Sequence, residues 1–192
     1  MAADLSLCPI VAVGRFGISD DEPCLRCFAG ASKLETVMRP EVLDFLTITG
    51  VNFKVHSHPR VISVEDARAV LPFEPRAMVK GLVFRTPDGS YAIVGMRGAD
   101  RADYKKIADA LGIRRADLTL ASPEQLASDL KMQAGGVVPL PIHGAKVLID
   151  RSVEGMGIIF CGAGSNDATL ELESADLIRI AQGRTGDFVK GR

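Results

Sequence analysis

MVKGLVFRTPDGSYAIVGM, residues 78–96, is the stretch that decides the fold. Two apolar runs, residues 78–85 and 91–96, flank the sequence Pro-Asp-Gly at 87–89. Apolar runs joined by such turn residues predict a β-hairpin. The rest of the chain therefore has to build around an antiparallel strand pair.

Outward from this hairpin, helical and strand patterns are mixed. Apolar spacing, caps and helix stops predict helices at 40–50, 63–71, 103–111, from Pro123 after an N-cap at Ser122, and to residue 180 after an N-cap at Ser174. Further strands are predicted at 53–55, 146–150, 157–161 and 169–171. Strands outnumber helices, which favours an α+β fold over a doubly wound parallel sheet. The polar tail is expected to be frayed.

The composition is that of a soluble globular protein. The 192 residues are 47% hydrophobic and 24% charged, with no Trp, so one domain with an aliphatic core is expected. No apolar run approaches the ~18 residues of a membrane span, and the first ten residues lack the basic group of a secretory signal, so we expect a cytoplasmic protein with no membrane partner. Residues 1–33 show no sustained period and are interpreted as a partly irregular leader before a domain at 34–192.

Cysteine and histidine spacing does not predict a metal or redox site. Cys24 and Cys27 form a C-x-x-C pair, but a zinc ribbon needs a second such pair, and the surrounding residues indicate a loop. His56, His58 and His143 lack the helical spacing of a metal motif. No cofactor and no metal are therefore expected.

Three features could carry chemistry. Lys80 lies in an apolar strand, where an amine needs solvent or an anion; it suits a phosphate, a ribose or an oxyanion, although an edge-strand lysine is the alternative. The loop at 135–141, Gly-Gly-Val-Val-Pro-Leu-Pro, lets the backbone approach a ligand and aim its N–H or C=O groups, unless it is a plain connection. Residues 162–167 indicate first a tight turn, whose glycines could line a small amino-acid pocket.

A basic stretch follows the hairpin. Six positive residues between Arg97 and Arg115 stand among three aspartates, a local excess of three positive charges that could contact an RNA backbone or form a solvated helix face. The net charge of the whole chain is −1, which argues against a general nucleic-acid binder, and no DNA partner is expected.

Several of these segments, taken in order, resemble one known family. They are HP at 58–59, SVEDA at 63–67, KGLV at 80–83, GADR at 98–101, KKIA at 105–108, LG at 111–112, ASPE at 121–124, GGVVP at 135–139, CGAGS at 161–165, TLEL at 169–172 and ADL at 175–177. The chain is similar to the YbaK and prolyl-tRNA-synthetase-associated editing domain family over roughly residues 40–182.

The resemblance implies a single compact domain with a curved mixed β-sheet flanked by helices. It also implies hydrolysis of the ester that joins an amino acid to the terminal adenosine of a tRNA, without a cofactor. Family members act in trans or inside prolyl-tRNA synthetase and clear small amino acids such as Ala or Cys, so mischarged tRNA-Pro is the expected substrate. The loop departs from several members, which have Ser or Thr inside it, and this leaves the amino acid open.

The family pattern also assigns roles to residues of this chain. Its lysine falls on Lys80 and its G-x-x-x-P loop begins at Gly135; both are expected to be catalytic, through charge and through backbone groups that orient water and carbonyl. The expected substrate-binding residues are His58, Gly136, Val137, Val138, Pro139, Gly162, Gly164 and Ser165, and the expected RNA-binding residues are Arg97, Arg101, Lys105 and Lys106.

Other hypotheses remain. The chief alternative is a non-catalytic adaptor of the same fold that binds tRNA or an aminoacyl-tRNA synthetase. A redox or zinc protein built on Cys24 and Cys27 is a second, and an α+β domain of another role is a third. For the editing hypothesis, a synthetase partner is a further expectation because the near-neutral charge predicts weak binding of tRNA by the chain alone.

Overall fold

The computed structural model describes residues 12–14, 38–63, 66 and 71–191. Its α-helices are α1 (Pro40–Thr49), α2 (Tyr104–Leu111), α3 (Pro123–Asp129) and α4 (Ser174–Ala181). Its strands are β1 (Ala12–Gly14), β2 (Phe53–Ser57), β3 (Val79–Arg85), β4 (Tyr91–Arg97), β5 (Thr119–Leu120), β6 (Lys146–Asp150), β7 (Ile158–Gly162), β8 (Ala168–Glu173) and β9 (Arg184–Gly186). No helix in these ranges is long and apolar enough to cross a membrane.

The strands form two sheets. The first has the order β1-β2-β8-β7 and is antiparallel throughout. The second has the order β5-β3-β4-β6-β9. In this sheet β3 is antiparallel to β5 and β4, and β6 is parallel to β4 and β9. The α+β prediction is confirmed. The single curved mixed sheet is corrected to two sheets, which a bridge between Met78 and Phe160 connects.

The predicted hairpin is confirmed at the centre of the second sheet. β3 and β4 pair from Val79 opposite Arg97 to Arg85 opposite Tyr91. Asp88 fixes the turn, since hydrogen bonds from Thr86 and Ser90 hold the pKa of its carboxyl at about 2. Every residue of β4 before Arg97 is buried, because its strand has core on both faces.

Helix boundaries follow the sequence predictions in three cases. α1 starts at Pro40 and ends against Gly50 in the left-handed conformation; α2 is capped by Asp103, whose side chain accepts from two backbone amides. At α3, Ser122 and Gln125 form a reciprocal capping box.

Two predicted helix ends are wrong. Ser174 is the first residue of α4 rather than its cap; Glu173 occupies the cap position without a side-chain hydrogen bond. Leu71 is not helical. Ser63 Oγ does accept from the Asp66 amide at 3.0 Å, as the cap pattern predicts, but residues 64–65 and 67–70 lie outside the described residues.

The two sheets share the largest hydrophobic core. It contains inward residues of both, such as Leu170 and Ile159 from the first sheet and Ile93 and Ile149 from the second. The outer face of the second sheet carries a smaller core under α2, where Ile107 is fully buried. The aliphatic core expected from the composition is present, although Phe53 and Phe84 also contribute.

The C-terminal tail is not frayed, and that prediction is corrected. β9 pairs with β6, Ala102 bridges to Val189, and the Asp150 carboxylate accepts the Phe188 amide at 2.7 Å. The side chain of Phe188 is 3% exposed. Although most residues of the tail are polar, Phe188 and Val189 are apolar and pack into the smaller core.

Part of the expected leader is also ordered. β1, at residues 12–14, pairs with β2 in the first sheet. The predicted domain boundary at 33/34, together with Cys24 and Cys27, lies outside the described residues, so that boundary stays a prediction.

Replacing Phe188 by alanine should destabilise the protein by about 3 kcal/mol, since it removes a buried aromatic ring and leaves a cavity. Ile48→Ala is the control, because this side chain is 85% exposed and its loss should change stability by less than about 0.5 kcal/mol. Denaturant unfolding measures both. Equal stabilities for the two variants would mean that the tail is not part of the core.

Candidate active site

Three chain segments meet where only glycines fit. Gly81 of β3 faces Val137, and a Cβ placed there would lie 2.6 Å from Val137 Cγ1. A Cβ at Gly162 of β7 would overlap the carbonyl group of Gly136, and a Cβ at Gly136 would overlap the Ser165 carbonyl. Backbone therefore touches backbone at this junction, which fixes the loop after α3 against both sheets.

A cavity of about 420 Å³ opens beside the junction. Its walls come from β3, from β7, from Val61 and its neighbours before the undescribed segment, and from the loop that contains Gly135. Most of the lining is aliphatic. The polar side chains among the described wall residues are Lys80, Ser63 and Thr169, with the Cys161 thiol.

Lys80 is half-buried on the cavity wall. Its Nζ donates to the backbone carbonyls of Gly98 at 3.0 Å and of Asp100 at 2.6 Å. Gly98 belongs to the turn after β4, and its own amide donates to Met78. The turn after β4 thus holds the head group of this wall residue in one place.

The predicted glycine-rich loop presents backbone groups to the same cavity. Gly135 has a φ of +88°, and a Cβ there would overlap the Val61 carbonyl, so only glycine is suitable. Gly136 holds the loop, since its amide donates to Gln133 and its carbonyl accepts from Gly164. Within the described part of the chain, no hydrogen bond engages the backbone of Gly135 or Val137. Val137 is buried, so its N–H and C=O need a water or a ligand as partner.

The remaining loop residues lie away from the cavity. Val138 is fully buried in the large core, and Pro139 packs against Gly95 of β4. Gly164 and Ser165 lie behind the loop and support it. Of the predicted substrate-binding residues, only Val137 and Gly162 line the cavity; the assignment itself stays a prediction.

His58 reaches the cavity through a second residue. Its Nε2 lies 2.9 Å from the Thr169 hydroxyl, and Thr169 is on the wall whereas His58 is not. Sequence reasoning missed Thr169 because a lone threonine in a strand has no distinctive spacing. The sequence signal that could have identified Thr169 is the alternation of polar and apolar residues in β8. It places Thr169 and Glu171 on one face of the strand and Leu170 and Leu172 on the other.

A charged cluster continues along that face. The Glu171 carboxylate lies 2.8 Å from Lys54 Nζ and 2.6 Å from His56 Nε2. Burial raises the pKa of Glu171, but the hydrogen bonds from Lys54 and His56 outweigh burial and lower it overall. The charges of this cluster are paired with one another, and none of its members lines the cavity.

The predicted RNA-binding residues separate into two kinds. Arg97 Nε donates to the Ser152 carbonyl and Lys106 Nζ to the Val189 carbonyl, so both stabilise the end of the second sheet. Arg101 and Lys105 are exposed, and no salt bridge involves them in the described residues.

Cys161 is a poor nucleophile. It is 3% exposed, and burial raises the pKa of its thiol to about 12. Among the described residues, no group of three or more His, Cys, Asp or Glu side chains is placed to hold a metal ion. The site as described consists of an amine, hydroxyls and backbone groups.

A cavity between two sheets, with a lysine on one wall and a glycine-rich loop on another, defines an α+β domain that can hold a small ligand. The sequence matches the family described as "Aminoacyl-tRNA editing domain" over residues 58–180, which contain all of these features. The chain belongs to the aminoacyl-tRNA editing domain family, which confirms the resemblance stated above.

Curated relatives are much longer proteins. The chain is 30% identical over 102 residues to a proline–tRNA ligase of Thermosipho melanesiensis and 28% identical over 110 residues to that of Bacillus velezensis. These matches cover 53% and 57% of this chain but only 17% and 19% of the ligases. The chain thus spans less than a fifth of the curated relatives it matches.

Solved structures share the fold. A hypothetical protein superposes with a TM-score of 0.69 at 19% identity, covering 78% of this chain and 99% of its own. A protein described as a candidate trans-editing enzyme for prolyl-tRNA synthetase superposes with a TM-score of 0.67 at 21% identity, covering 80% and 99%. These likenesses concern the architecture, and they agree with the α+β assignment.

Gly162→Ala should destabilise the protein by about 2–4 kcal/mol, because the new methyl group meets backbone that has no room to move. Gly155→Ala is the control: its φ is +69° and no atom lies within 4 Å of the new Cβ, so only the conformational strain of about 1 kcal/mol applies. Thermal unfolding measures the difference. Equal losses in the two variants would contradict the backbone contact.

Cys161 should resist alkylation in the native protein at pH 8, since a pKa of about 12 leaves about one thiol in 10⁴ ionised. Iodoacetamide treatment followed by peptide mass mapping measures this at Cys161 alone. The same residue should react fully in guanidinium, which serves as the control. Rapid native modification would show that the cavity wall opens at β7.

Proposed function

We propose that this protein is a trans-acting aminoacyl-tRNA deacylase that hydrolyses the ester of a mischarged tRNA. The observation that carries the proposal is that one cavity is lined by Lys80 together with Gly135 and Val137, whose backbone groups make no hydrogen bond to the described residues. These are the groups that the family pattern assigns to catalysis, brought together from positions 55 residues apart (135 − 80) in the sequence. Membership of the editing-domain family supports this function.

The reaction requires little from the protein. Water adds to the ester carbonyl, the bond to the ribose oxygen breaks, and the proton of the water ends on the ribose hydroxyl. An aminoacyl ester is already activated, so a fixed water and a stabilised oxyanion supply much of the rate. The high pKa of Cys161 fits a mechanism in which the protein offers no thiolate nucleophile.

Each site group then has a role. The unpaired Val137 amide stabilises the oxyanion, and a free carbonyl of the loop orients the attacking water. Lys80, held by Gly98 and Asp100, binds the phosphate or ribose of the terminal adenosine, or steadies the developing negative charge.

Selection works by exclusion of the larger amino acid. Wall residues such as Val79, Val83 and Leu126 make the cavity small and aliphatic. A hydrophobic pocket gains only about 1–3 kcal/mol per methylene, so it rejects an oversized residue better than it prefers a smaller one. Ala or Cys on tRNA-Pro is the substrate we propose, with cytoplasmic action.

The tRNA acceptor end is the proposed partner. Arg101 follows Asp100, to whose carbonyl Lys80 is bonded, and the Lys190 amide donates to the Arg101 carbonyl at 2.8 Å. Lys105 is also exposed, and these cations are the residues we propose for contacts to the tRNA phosphates. A synthetase partner would supply the tRNA selectivity that so few phosphate contacts lack.

Lys80→Ala should lower the deacylation rate by about 10²–10³-fold, the loss typical of a removed charge-stabilising group. The assay uses tRNA-Pro charged with alanine, cysteine, serine or proline, and the wild-type protein should hydrolyse one mischarged species. Lys146→Ala is the control, because this exposed lysine pairs with Ala92 at the opposite end of β4.

Two results would count against the deacylase. Full activity of the Lys80 variant would remove the lysine from the mechanism. If the protein hydrolysed none of the four species yet bound tRNA, the adaptor would become the better hypothesis.

A further inference from the structure

The proton arrangement of His58 and Thr169 is fixed by their neighbours. His58 Nδ1 lies 2.7 Å from the Pro59 carbonyl oxygen, which can only accept, so Nδ1 carries a proton. In the neutral imidazole, Nε2 is then the acceptor, and it lies 2.9 Å from Thr169 Oγ1. With His58 in this neutral form, the Thr169 hydroxyl donates its proton to Nε2.

Toward the cavity, the Thr169 hydroxyl can therefore act only as a hydrogen-bond acceptor. Its hydroxyl has two lone pairs and a single proton, and the proton is committed. Thr169 lies on the wall and is 6% exposed, so any donor in the cavity that approaches it finds a preoriented acceptor. The described wall residues include no carboxylate, which makes this hydroxyl a principal acceptor for a cationic group.

We propose that Thr169, oriented by His58, binds the α-ammonium group of the aminoacyl ester. The inference rests on the deacylase function and adds the subsite that recognises the amino acid's charged end. Lys80 belongs to β3 in the second sheet and Thr169 to β8 in the first, so the cavity has a cation on one sheet and an acceptor on the other. An ester with a cation at one end and a nucleotide phosphate at the other matches that polarity.

The alternative wall acceptor is less suited to the task. Ser63 Oγ already accepts the Asp66 amide at 3.0 Å, and Ser63 is exposed. Glu171, on the same face of β8, is engaged by Lys54 and His56 and lies off the wall. In this proposal Thr169 contacts the substrate, and His58 is the positioning residue that acts through it.

The test compares a free α-amine with a blocked one. The mischarged tRNA-Pro that the wild-type protein hydrolyses fastest is assayed beside the same species after N-acetylation, which removes the positive charge. Blocking should lower kcat/KM of the wild type by about tenfold to a hundredfold, the range for a hydrogen bond to a charged group. Thr169→Val should lose the same factor on the free amine, mainly in KM, and nothing on the acetylated substrate.

Two His58 variants distinguish the orientation of the Thr169 hydroxyl from the space that the residue 58 side chain fills. His58→Gln keeps an oxygen that can accept the Thr169 proton and should retain the preference for the free amine, whereas His58→Leu should lose it. Thr185→Val, on β9, is the matched control and should behave as wild type. Circular dichroism would show whether Thr169→Val folds. If it does not, the comparison of His58→Gln with His58→Leu tests the proposal instead.

The outcomes are distinguishable. Equal wild-type rates on free and acetylated substrates would overturn this inference and leave the deacylase intact. An undiminished acetylation penalty in Thr169→Val and in His58→Leu would show that the penalty is steric, which also overturns it. Hydrolysis of neither substrate by the wild type would remove the deacylase function and this subsite with it.

Discussion

The contact between the backbones of Gly162 and Gly136 is the constraint on which the site depends. A side chain at Gly162 would overlap the backbone of Gly136, and one at Gly136 would overlap the backbone of Ser165 in the turn after β7, so any larger residue at either position displaces one of these segments. The hydrogen bond from Gly164 to Gly136 and the contact of Gly81 with Val137 act in the same place. Together they hold the loop at the junction of the two sheets, and the cavity exists because the loop cannot move outward.

The same packing explains why this loop carries backbone groups without a hydrogen-bond partner among the described residues. Gly136 uses both of its polar groups to hold the structure, which leaves its neighbours Gly135 and Val137 with groups for a ligand. For Val137, which is buried, polar groups without a partner are unfavourable. A ligand that pairs with them is therefore stabilised by groups that are already in place, which is the condition for preorganised binding.

Local features of the fold were predictable from the sequence, and long-range ones were not. The hairpin at 78–96, the start of α2 near Asp103 and the cap at Ser122 depend on residues within a few positions of one another. The division into two sheets and the docking of Phe188 depend on pairings between distant strands, which composition does not encode. For the site, residue type pointed to Lys80 and Gly135, but whether Arg97 and Lys106 stabilise the fold or contact a partner depends on carbonyls more than fifty residues away. Thr169 acquires its importance only through the register that brings it beside His58.

The pairing of β6 with β9 sets an order of events during synthesis. The hairpin can form as soon as residue 97 has emerged, because all of its partners are local. Asp150, by contrast, is buried against the amide of a residue 38 positions later, and the smaller core closes only when Phe188 and Val189 arrive. The edge of β6 that pairs with β9, and the part of the smaller core that Phe188 and Val189 fill, therefore stay uncovered while ribosomes translate the intervening segment. This is the interval in which the nascent chain is most exposed to mispairing with other chains, and in which a chaperone would have most to protect.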